Sequence, residues 1–306
     1  MSKTLCVTGG AGFIGSHLAD AFLAAGHRVV VIDDLSTGRR ENLPAGVDLH
    51  TLDIRSPEAA RVVAEADVLV HQAAQMNVRR SVDDPGFDAQ VNIVGTLNLL
   101  EGARQGKVQQ VLFASTGGAI YGEQETFPAT EVHPCRPVSP YGVAKLACER
   151  YLYFYHVSYG LNVTCLRYAN VYGPRQNPLG EAGVVAIFAQ RLLAGEPPVI
   201  NGDGLQTRDY IHVRDVVHAN LAALGRPGFH TYNVGTGIET NVVDLYDHLR
   251  QAVGSQMKAR HGPAKPGEQR RSVIDPTRLQ EELGVPRPVA FAEGLRETAE
   301  WFRGAG

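Results

Sequence analysis

Short apolar runs alternate along the first two thirds of the chain with longer segments in which apolar residues recur every three or four positions. The runs are typical of buried strands, and the longer segments are typical of amphipathic helices. Strands that alternate with helices pair in parallel through right-handed crossovers, so the pattern predicts an α/β fold with an open, doubly wound parallel sheet. The predicted strands are Leu5–Val7, Val29–Ile32, Asp48–Leu52, Val68–His71, Val111–Ser115, Val163–Arg167 and Thr231–Val234.

The pattern changes after Tyr168. Glycine and proline pairs such as Gly173-Pro174 and Pro197-Pro198 interrupt the chain, and only one later run, Thr231–Val234, has the character of a sheet strand. We expect a smaller, looped C-terminal domain that carries substrate specificity. In open parallel sheets ligands bind at the carboxyl ends of the strands, so this domain is expected to close over that edge.

Composition and charge narrow the function. The 306 residues carry a net charge of −3, so there is no basic excess for binding nucleic acid or an anionic membrane. The four cysteines, Cys6, Cys135, Cys148 and Cys165, lack the spacing of metal ligands, which predicts reduced thiols and no metal site. No signal peptide or membrane span is predicted, and the expected location is cytoplasmic.

A glycine loop follows the first strand in the segment Thr8-Gly-Gly-Ala-Gly-Phe-Ile-Gly15. Gly9 permits a tight turn, Gly12 lets backbone N–H groups approach a pyrophosphate, and Gly15 lets the helix pack against the strand. The helix that begins there directs its N-terminal N–H groups at the phosphates. A strand, this loop, a helix and a return strand together indicate a Rossmann domain, although the glycines alone are also compatible with an ordinary tight turn.

The return strand ends in Asp33. A carboxylate there accepts hydrogen bonds from the adenosine ribose hydroxyls and repels a 2′-phosphate, which favours NAD over NADP. Arg39 and Arg40 follow shortly after and keep NADP open as an alternative.

A candidate catalytic pair lies at the start of a later helix, in Ser139-Pro-Tyr-Gly-Val-Ala-Lys145. Tyr141 and Lys145 are four residues apart and share one helix face. A nearby ammonium group and a cationic nicotinamide ring are expected to lower the pKa of Tyr141, which makes the tyrosine a general base for hydride removal from a secondary alcohol. The alternative is a purely structural tyrosine, since Tyr141 also belongs to a periodic apolar stripe.

A hydroxyl side chain is expected to complete the catalytic site. The fifth predicted strand runs into Ser115-Thr116-Gly117-Gly118, where small residues allow a substrate to approach. Thr116 is the candidate that shares a hydrogen bond with Tyr141 and the reacting alcohol, and Ser115 is the reserve. A structural turn explains the same Ser-Thr pair.

Together these motifs resemble the extended short-chain dehydrogenase/reductase superfamily, and within it the UDP-galactose (UDP-glucose) 4-epimerase family. The resemblance runs nearly end to end and implies bound NAD. It places Thr116, Tyr141 and Lys145 at the catalytic positions. The implied cofactor contacts are Gly9, Gly12, Phe13, Ile14, Gly15, Asp33, Asp34, Leu35, Ser36, Thr37, Gly38, Asp53, Ile54, Gln72, Ala73, Ala74, Asn92, Tyr141, Lys145 and Tyr168.

The resemblance also implies a split chain and a nucleotide-sugar site. Residues 1–170, with a return segment at about 213–236, form the NAD-binding domain, and residues 171–212 and 237–306 form the nucleotide-sugar-binding domain. Asn170 and Arg208 fall where the family contacts the substrate diphosphate. Lys265 and Glu268 stand where the family more often has arginine and aspartate, so Lys265, Arg270 or Arg271 supplies the second cation. Ser272 replaces a bulky tyrosine, which leaves room for a 2-acetamido group unless it is an ordinary surface serine.

The implied reaction is the epimerisation of a UDP-hexose at C4 through a 4-keto sugar, on UDP-glucose and UDP-galactose and also on the N-acetyl pair. Dehydration is disfavoured because Gly117-Gly118 replaces the Asp-Glu of the family's dehydratases, although Glu123 and Glu125 lie downstream. A UDP-glucuronate epimerase or decarboxylase is the alternative enzyme, with Arg79, Arg80 or Arg175 facing C6. An NAD-sensing regulatory protein is the alternative from another class.

The expected partners are a UDP-sugar and a second copy of the chain. Helices 87–104 and 143–159 are expected to form a four-helix interface in a homodimer. Their apolar stripes are also compatible with packing on the sheet.

Overall fold

The computed structural model describes residues 2–178, 183–264 and 269–304. Within these residues the chain forms strands and helices that alternate for most of its length. The strands are β1 (Thr4–Thr8), β2 (Arg28–Asp33), β3 (Asp48–Thr51), β4 (Val68–His71), β5 (Gln110–Thr116), β6 (Asn162–Tyr168), β7 (Asn170–Tyr172), β8 (Val199–Asn201), β9 (Thr207–His212), β10 (Phe229–Val234), β11 (Glu239–Asn241), β12 (Arg260–Gly262) and β13 (Arg271–Ser272).

The helices follow the same alternation. They are α1 (Phe13–Ala24), α2 (Pro57–Ala64), α3 (Val78–Asp83), α4 (Pro85–Ala89), α5 (Gly95–Gln105), α6 (Pro140–Tyr159), α7 (Val184–Leu193), α8 (Val213–Ala223), α9 (Val242–Val253), α10 (Thr277–Leu283) and α11 (Phe291–Gly304). A π-helical turn, Gln90–Val94, joins α4 to α5, and a 3-10 turn spans Arg40–Asn42.

A seven-stranded parallel sheet organises the larger lobe, in the order β10-β6-β5-β4-β1-β2-β3. All seven strands predicted from the sequence are present in it, which confirms the doubly wound α/β fold. Successive side chains of β1 point to opposite faces of the sheet, as strand geometry requires. Leu5 and Val7 pack with α1 and α8, whereas Cys6 packs with α2, α5 and α6.

Helix α6 shows how the local sequence sets an element's ends. Ser139 caps it by accepting a 3.2 Å hydrogen bond from the Gly142 N–H, and Pro140 occupies the first helical position. Gly160 ends it in the left-handed conformation, at φ 72°. Both ends agree with the prediction from the sequence.

The smaller lobe, which holds strands β7, β8, β9, β11, β12 and β13, contains more sheet than the sequence pattern predicts. Strand β9 is central to a second sheet in which it pairs with β7, β11 and β13, and β8 pairs with β12. The prediction of only one strand beyond residue 168 was therefore wrong. Most of these strands span two or three residues, too few for an alternating pattern to stand out. Helices α7, α9 and α11 supply the core of this lobe.

Candidate active site

The glycine loop lies between β1 and α1, at the carboxyl edge of the large sheet. Gly9 has φ +67°, and a Cβ there would lie 2.7 Å from the Ala73 nitrogen. A Cβ on Gly15 would lie 2.1 Å from the Gly9 carbonyl oxygen, so only glycine permits this contact. Gly12 is the N-cap of α1, and no described side chain caps the helix. The loop thus leaves backbone N–H groups for a phosphate, and this cradle fits a dinucleotide.

Asp33 holds the loop that follows β2 against the glycine loop. Its carboxylate accepts hydrogen bonds of 2.9 Å from the N–H groups of Ala11 and Leu35. A Cβ on Gly38 would lie 2.8 Å from the same carboxylate. Burial raises the pKa of Asp33, while the two backbone hydrogen bonds oppose that rise. The carboxylate therefore organises the cradle as well as offering lone pairs to a ribose.

The other predicted residues of this region surround Asp33. Asp34 is exposed and accepts hydrogen bonds from the backbone and the hydroxyl of Ser36. Asp53 pairs with Arg55, and the buried side chain of Ile54 packs where Gly95 leaves space. Phe13 and Thr37 line a cavity of about 520 Å³ beside the glycine loop, and Ile14 faces the core between α1 and the sheet. Leu35 has φ 59°.

The carboxyl end of β4 closes the other side of the cradle. The Ala73 N–H donates to Thr8 Oγ1 (3.2 Å), and Gln72 donates to the Tyr168 hydroxyl (3.2 Å). Ala74 is half-buried beside them. Asn92 is buried, and its side-chain amide forms two hydrogen bonds with the backbone of Gln75. Asn92 therefore positions the segment that carries the predicted cofactor contacts.

Tyr141, Thr116 and Lys145 come together where α6 crosses the end of β5. The Thr116 side chain lies close enough to Tyr141 to act on the pKa of the tyrosine. Lys145 Nζ donates to the Ala114 carbonyl oxygen (2.9 Å) and lies 5.9 Å from the centre of the Tyr141 ring. The structure thus brings Thr116 together with the pair of Tyr141 and Lys145, as the sequence predicted.

The pKa of Tyr141 departs from the expectation. Burial raises it, the charge of Asp88 raises it further, and only the hydrogen bond with Thr116 opposes the rise. Burial also lowers the pKa of Lys145 to about 8. The expected lowering of the tyrosine pKa is therefore wrong for the polypeptide alone, because desolvation and the charge of Asp88 outweigh the effect of Thr116.

Ser115, the reserve for the catalytic hydroxyl, belongs to a different cluster. Its hydroxyl donates to Glu149 Oε1 (2.6 Å), and Glu149 in turn forms a buried ion pair with Arg167 at 2.7 Å. Arg167 also donates to the Tyr121 hydroxyl. Because Ser115 is engaged by this ion pair, we retain Thr116 as the hydroxyl that serves Tyr141.

The described substrate candidates, Asn170, Arg208 and Ser272, lie on the side of the smaller lobe. A Cβ on Gly118 would lie 3.2 Å from Asn170 Oδ1 and 4.0 Å from Thr116 Oγ1, so these two polar groups flank the same glycine. Arg208 on β9 is paired in register with Ser272 on β13, and Ser272 is buried rather than on the surface. Lys265 and Glu268 lie outside the described residues.

Two of the candidate cations for the diphosphate are engaged by acidic residues. Arg270 pairs with Asp203 at 3.0 Å, and Arg271 pairs with Glu239 while it stacks on the ring of Phe127. These contacts direct both guanidinium groups to the surface of the second sheet.

Sequence reasoning missed three residues that shape the site. Asp88 and Gln75 are buried beside the catalytic helix and hydrogen-bond to each other, and Glu149 is the partner of Arg167. For Asp88 and Glu149 the available signal was a carboxylate at an interior position of a helical stripe. Among residues 2–178, 183–264 and 269–304, no cluster of histidine, cysteine or acidic side chains is arranged to hold a metal ion. No helix in this part of the chain has the length and apolar character needed to cross a membrane.

Comparison with known proteins adds to this geometry. A sequence profile of the NAD dependent epimerase/dehydratase family matches residues 5–235. The UDP-glucose 4-epimerase of Mycolicibacterium smegmatis is 48% identical over 305 residues, which cover 97% of each chain. The crystal structure of the Thermotoga maritima UDP-glucose 4-epimerase with UDP-glucose superimposes with a TM-score of 0.96 at 44% identity, over 99% of each chain.

A second solved structure is similar in the same way. The UDP-glucose 4-epimerase of Thermus thermophilus, in complex with NAD, has a TM-score of 0.94 and 46% identity, covering 99% of this chain and 100% of that one. The likeness therefore includes both lobes and the edge of the sheet between them.

Proposed function

The chain belongs to the NAD-dependent epimerase/dehydratase family, and from this premise we propose that it is an NAD-dependent UDP-hexose 4-epimerase that interconverts UDP-glucose and UDP-galactose. The observation that carries the proposal is the meeting of Tyr141, Lys145 and Thr116 at the end of β5, beside a dinucleotide cradle: Lys145 Nζ donates to the Ala114 carbonyl oxygen and lies 5.9 Å from the centre of the Tyr141 ring. The named activity of the relatives, at 44–48% identity over nearly full length, supports the same substrate class.

Tyr141 is the proton acceptor and donor at the sugar C4 hydroxyl. Thr116 shares a hydrogen bond with this hydroxyl and with Tyr141, which orients the O–H bond for proton transfer. The glycine loop and Asp33 would hold NAD, which would supply the hydride chemistry at C4. Lys145 contributes positive charge below its pKa of about 8, and this charge favours the phenolate form of Tyr141.

The two lobes bind different ligands in this proposal, NAD and the nucleotide sugar. We assign residues 1–170 and the return segment 213–236 to NAD, because β10 extends the large sheet and α8 packs on α1. Residues 171–212 and 237–306 bind the nucleotide sugar. Asn170 and Arg208 serve the diphosphate, and Lys265 provides the second cation since Arg270 and Arg271 are paired elsewhere.

The small side chain of Ser272 supports acceptance of the N-acetyl sugars as well. Ser272 is buried in the second sheet, so a bulky residue at this position would compete with a 2-acetamido group for space. This part of the proposal does not depend on the C4 chemistry, and incubation with UDP-N-acetylgalactosamine tests it.

The alternative enzymes have less support. Arg175 pairs with Asp20 at 2.7 Å, and the guanidinium of Arg80 lies 4.0 Å from the centre of the Phe87 ring, so both cations already have partners within the chain. Gly117 and Gly118 supply no acid or base for dehydration. A sensor of NAD without catalysis has no need of Tyr141, Lys145 and Thr116 together at the end of β5.

The exposed face of α6 supports a homodimer. Val143, Phe154 and Val157 are about half exposed or more, and Val94 at the end of the π-helical turn is similarly exposed. An apolar helix face of this kind suits a four-helix interface across a two-fold axis. Phe154→Glu with Val157→Glu is expected to yield monomers in sedimentation equilibrium, whereas the loop variant Val132→Glu leaves the mass unchanged. An unchanged mass for the double variant would exclude this interface.

The four cysteines are free thiols, which supports the cytoplasmic location that we propose.

The decisive assay incubates purified protein, without added NAD, with UDP-galactose and separately with UDP-N-acetylgalactosamine, and identifies the products. Conversion of both supports the epimerase and the open pocket at Ser272. Conversion of UDP-galactose alone retains the epimerase and removes the pocket argument. If neither sugar nucleotide is converted, the assay is repeated with added NAD. A lack of conversion under that condition as well overturns the proposal.

A further inference from the structure

Asp88 is a buried carboxylate that the proposed chemistry leaves without a role. It lies on the short helix α4, only 1% exposed, and its Oδ1 accepts two hydrogen bonds. The donors are Gln75 Nε2 and Asn92 Nδ2, each at 2.9 Å. A buried carboxylate is costly unless such donors compensate for the lost water, so its presence here calls for a function.

The two donors are the residues that fix the segment after β4. Asn92 accepts from the Gln75 N–H and donates to the Gln75 carbonyl oxygen, each at 2.9 Å. Gln75 in turn bonds with both backbone groups of Asn77. Asp88 Oδ1 joins the two amide side chains and so holds the segment Gln72–Ala74, with its proposed cofactor contacts, at a fixed distance from α4.

The same carboxylate acts on the catalytic pair. Its negative charge raises the pKa of Tyr141 and also raises that of Lys145, in both cases beside a larger effect of burial. Thr116 is the other group that acts on the tyrosine. Cys148 and Glu149 act on the lysine together with Asp88, and Lys145 in turn acts on His71. Asp88 thus favours the cationic form of Lys145, together with Cys148 and Glu149, and opposes ionisation of Tyr141.

We infer that Asp88 is a positioning residue of the proposed epimerase: one carboxylate fastens the segment after β4 and supplies the negative charge that faces Tyr141 and Lys145. The expected effect of Asp88 on turnover rests on the proposed function. The structural and electrostatic parts of the inference concern this chain alone and can be measured without turnover.

Asp88→Asn separates the charge from the hydrogen bonds. The asparagine Oδ1 can accept from Gln75 and Asn92 as the carboxylate does, so the segment stays in place while the charge is lost. Removing a negative charge lowers the pKa of Tyr141, and we expect a shift of about one unit. The shift is measured as phenolate absorbance during a pH titration, taken as the difference between each protein and its Tyr141→Phe counterpart. The pH profile of kcat is expected to move to lower pH by the same amount, with KM little changed.

Gln75→Met tests the fastening. Methionine has a similar length and removes one donor to Asp88 while the charge remains. We expect bound NAD to dissociate about tenfold faster, because the segment after β4 loses its attachment, with no shift in the Tyr141 titration. Asp84→Asn is the matched control: this exposed residue caps the same short helix, asparagine caps equally well, and neither readout is expected to change.

An Asp88→Asn titration that coincides with wild type overturns the electrostatic part, and unchanged NAD release in Gln75→Met overturns the fastening. Should Asp88→Asn not fold, Asp88→Ser is titrated in its place by the same criterion. An inactive wild-type protein defeats the proposed function, whereas the titration and the NAD release still decide the role of Asp88.

Discussion

Lys145 Nζ donates a 2.9 Å hydrogen bond to the carbonyl oxygen of Ala114, and this bond ties the catalytic helix α6 to strand β5. The ammonium group is held 5.9 Å from the centre of the Tyr141 ring, and Thr116, at the end of the same strand, acts on the pKa of the tyrosine. One helix and one strand therefore set the geometry of the reacting groups. Rigid elements of this kind keep a site more exact than loops do.

Tyr141→Phe removes the proton acceptor without changing the shape of the side chain. We expect kcat to fall about a thousandfold while NAD remains bound, because the phenol is required for proton transfer and the cradle is untouched. Turnover of UDP-galactose and the NAD content of the purified protein measure the two effects. Tyr153→Phe, on the exposed face of the same helix, is the control and should keep full activity. Substantial activity in the Tyr141 variant would contradict the role proposed for it.

Lys145 makes stability depend on pH in an unusual direction. Burial lowers its pKa from the ordinary 10.5 to about 8 in the folded protein. Between these two pH values the unfolded chain binds more protons at this lysine than the folded chain does. The contribution of Lys145 to the free energy of unfolding therefore increases as the pH rises. From pH 8 to about 9.5, we expect the free energy of unfolding of the wild type to increase by about 1 kcal/mol per pH unit relative to that of Lys145→Met. Denaturant titrations at several pH values measure the difference, and parallel curves for the two proteins would refute the shift.

The buried pair of Glu149 and Arg167 is expected to dominate the local stability. Glu149→Ala leaves an unpaired guanidinium in the interior and should cost about 3–5 kcal/mol of unfolding free energy. Replacing both partners, as Glu149→Leu with Arg167→Met, should recover more than half of that loss because no charge is left buried. Urea unfolding of these variants is compared with Glu58→Ala, which breaks an exposed pair and should cost less than about 1 kcal/mol. An equal loss in the single and double variants would exclude this explanation.

Gly15→Ala places a methyl group 2.1 Å from the Gly9 carbonyl oxygen, a distance that no packing tolerates. The loop or the helix must move, and we expect a loss of about 3 kcal/mol in stability together with loss of bound NAD. Gly86→Ala is the matched control, since a Cβ there meets only Asp84 Oδ1 at 3.6 Å. Thermal unfolding and NAD content report both consequences. Retention of NAD by the Gly15 variant would show that the cradle does not depend on this close approach.

Local sequence determined much of this protein. The seven strands of the large sheet, the glycine loop and the ends of α6 follow from residue patterns that act over a few positions, such as the Ser139 cap and the Gly160 stop. The candidates Tyr141, Lys145 and Thr116 were also evident, because a helical spacing places two of them on one face and a strand end presents the third. These features depend on backbone preferences and periodicity, which a single sequence contains.

Only the tertiary structure decided which side chains act on one another. Ser115 and Thr116 are neighbours of similar chemistry, but the fold engages Ser115 with Glu149 and joins Thr116 to Tyr141. The pKa of Tyr141 likewise depends on burial and on Asp88, which is far from it in sequence. Strands β7, β11 and β13, each of two or three residues, form because β9 offers them partners. Desolvation and long-range pairing depend on distances across the fold, and no local pattern encodes them.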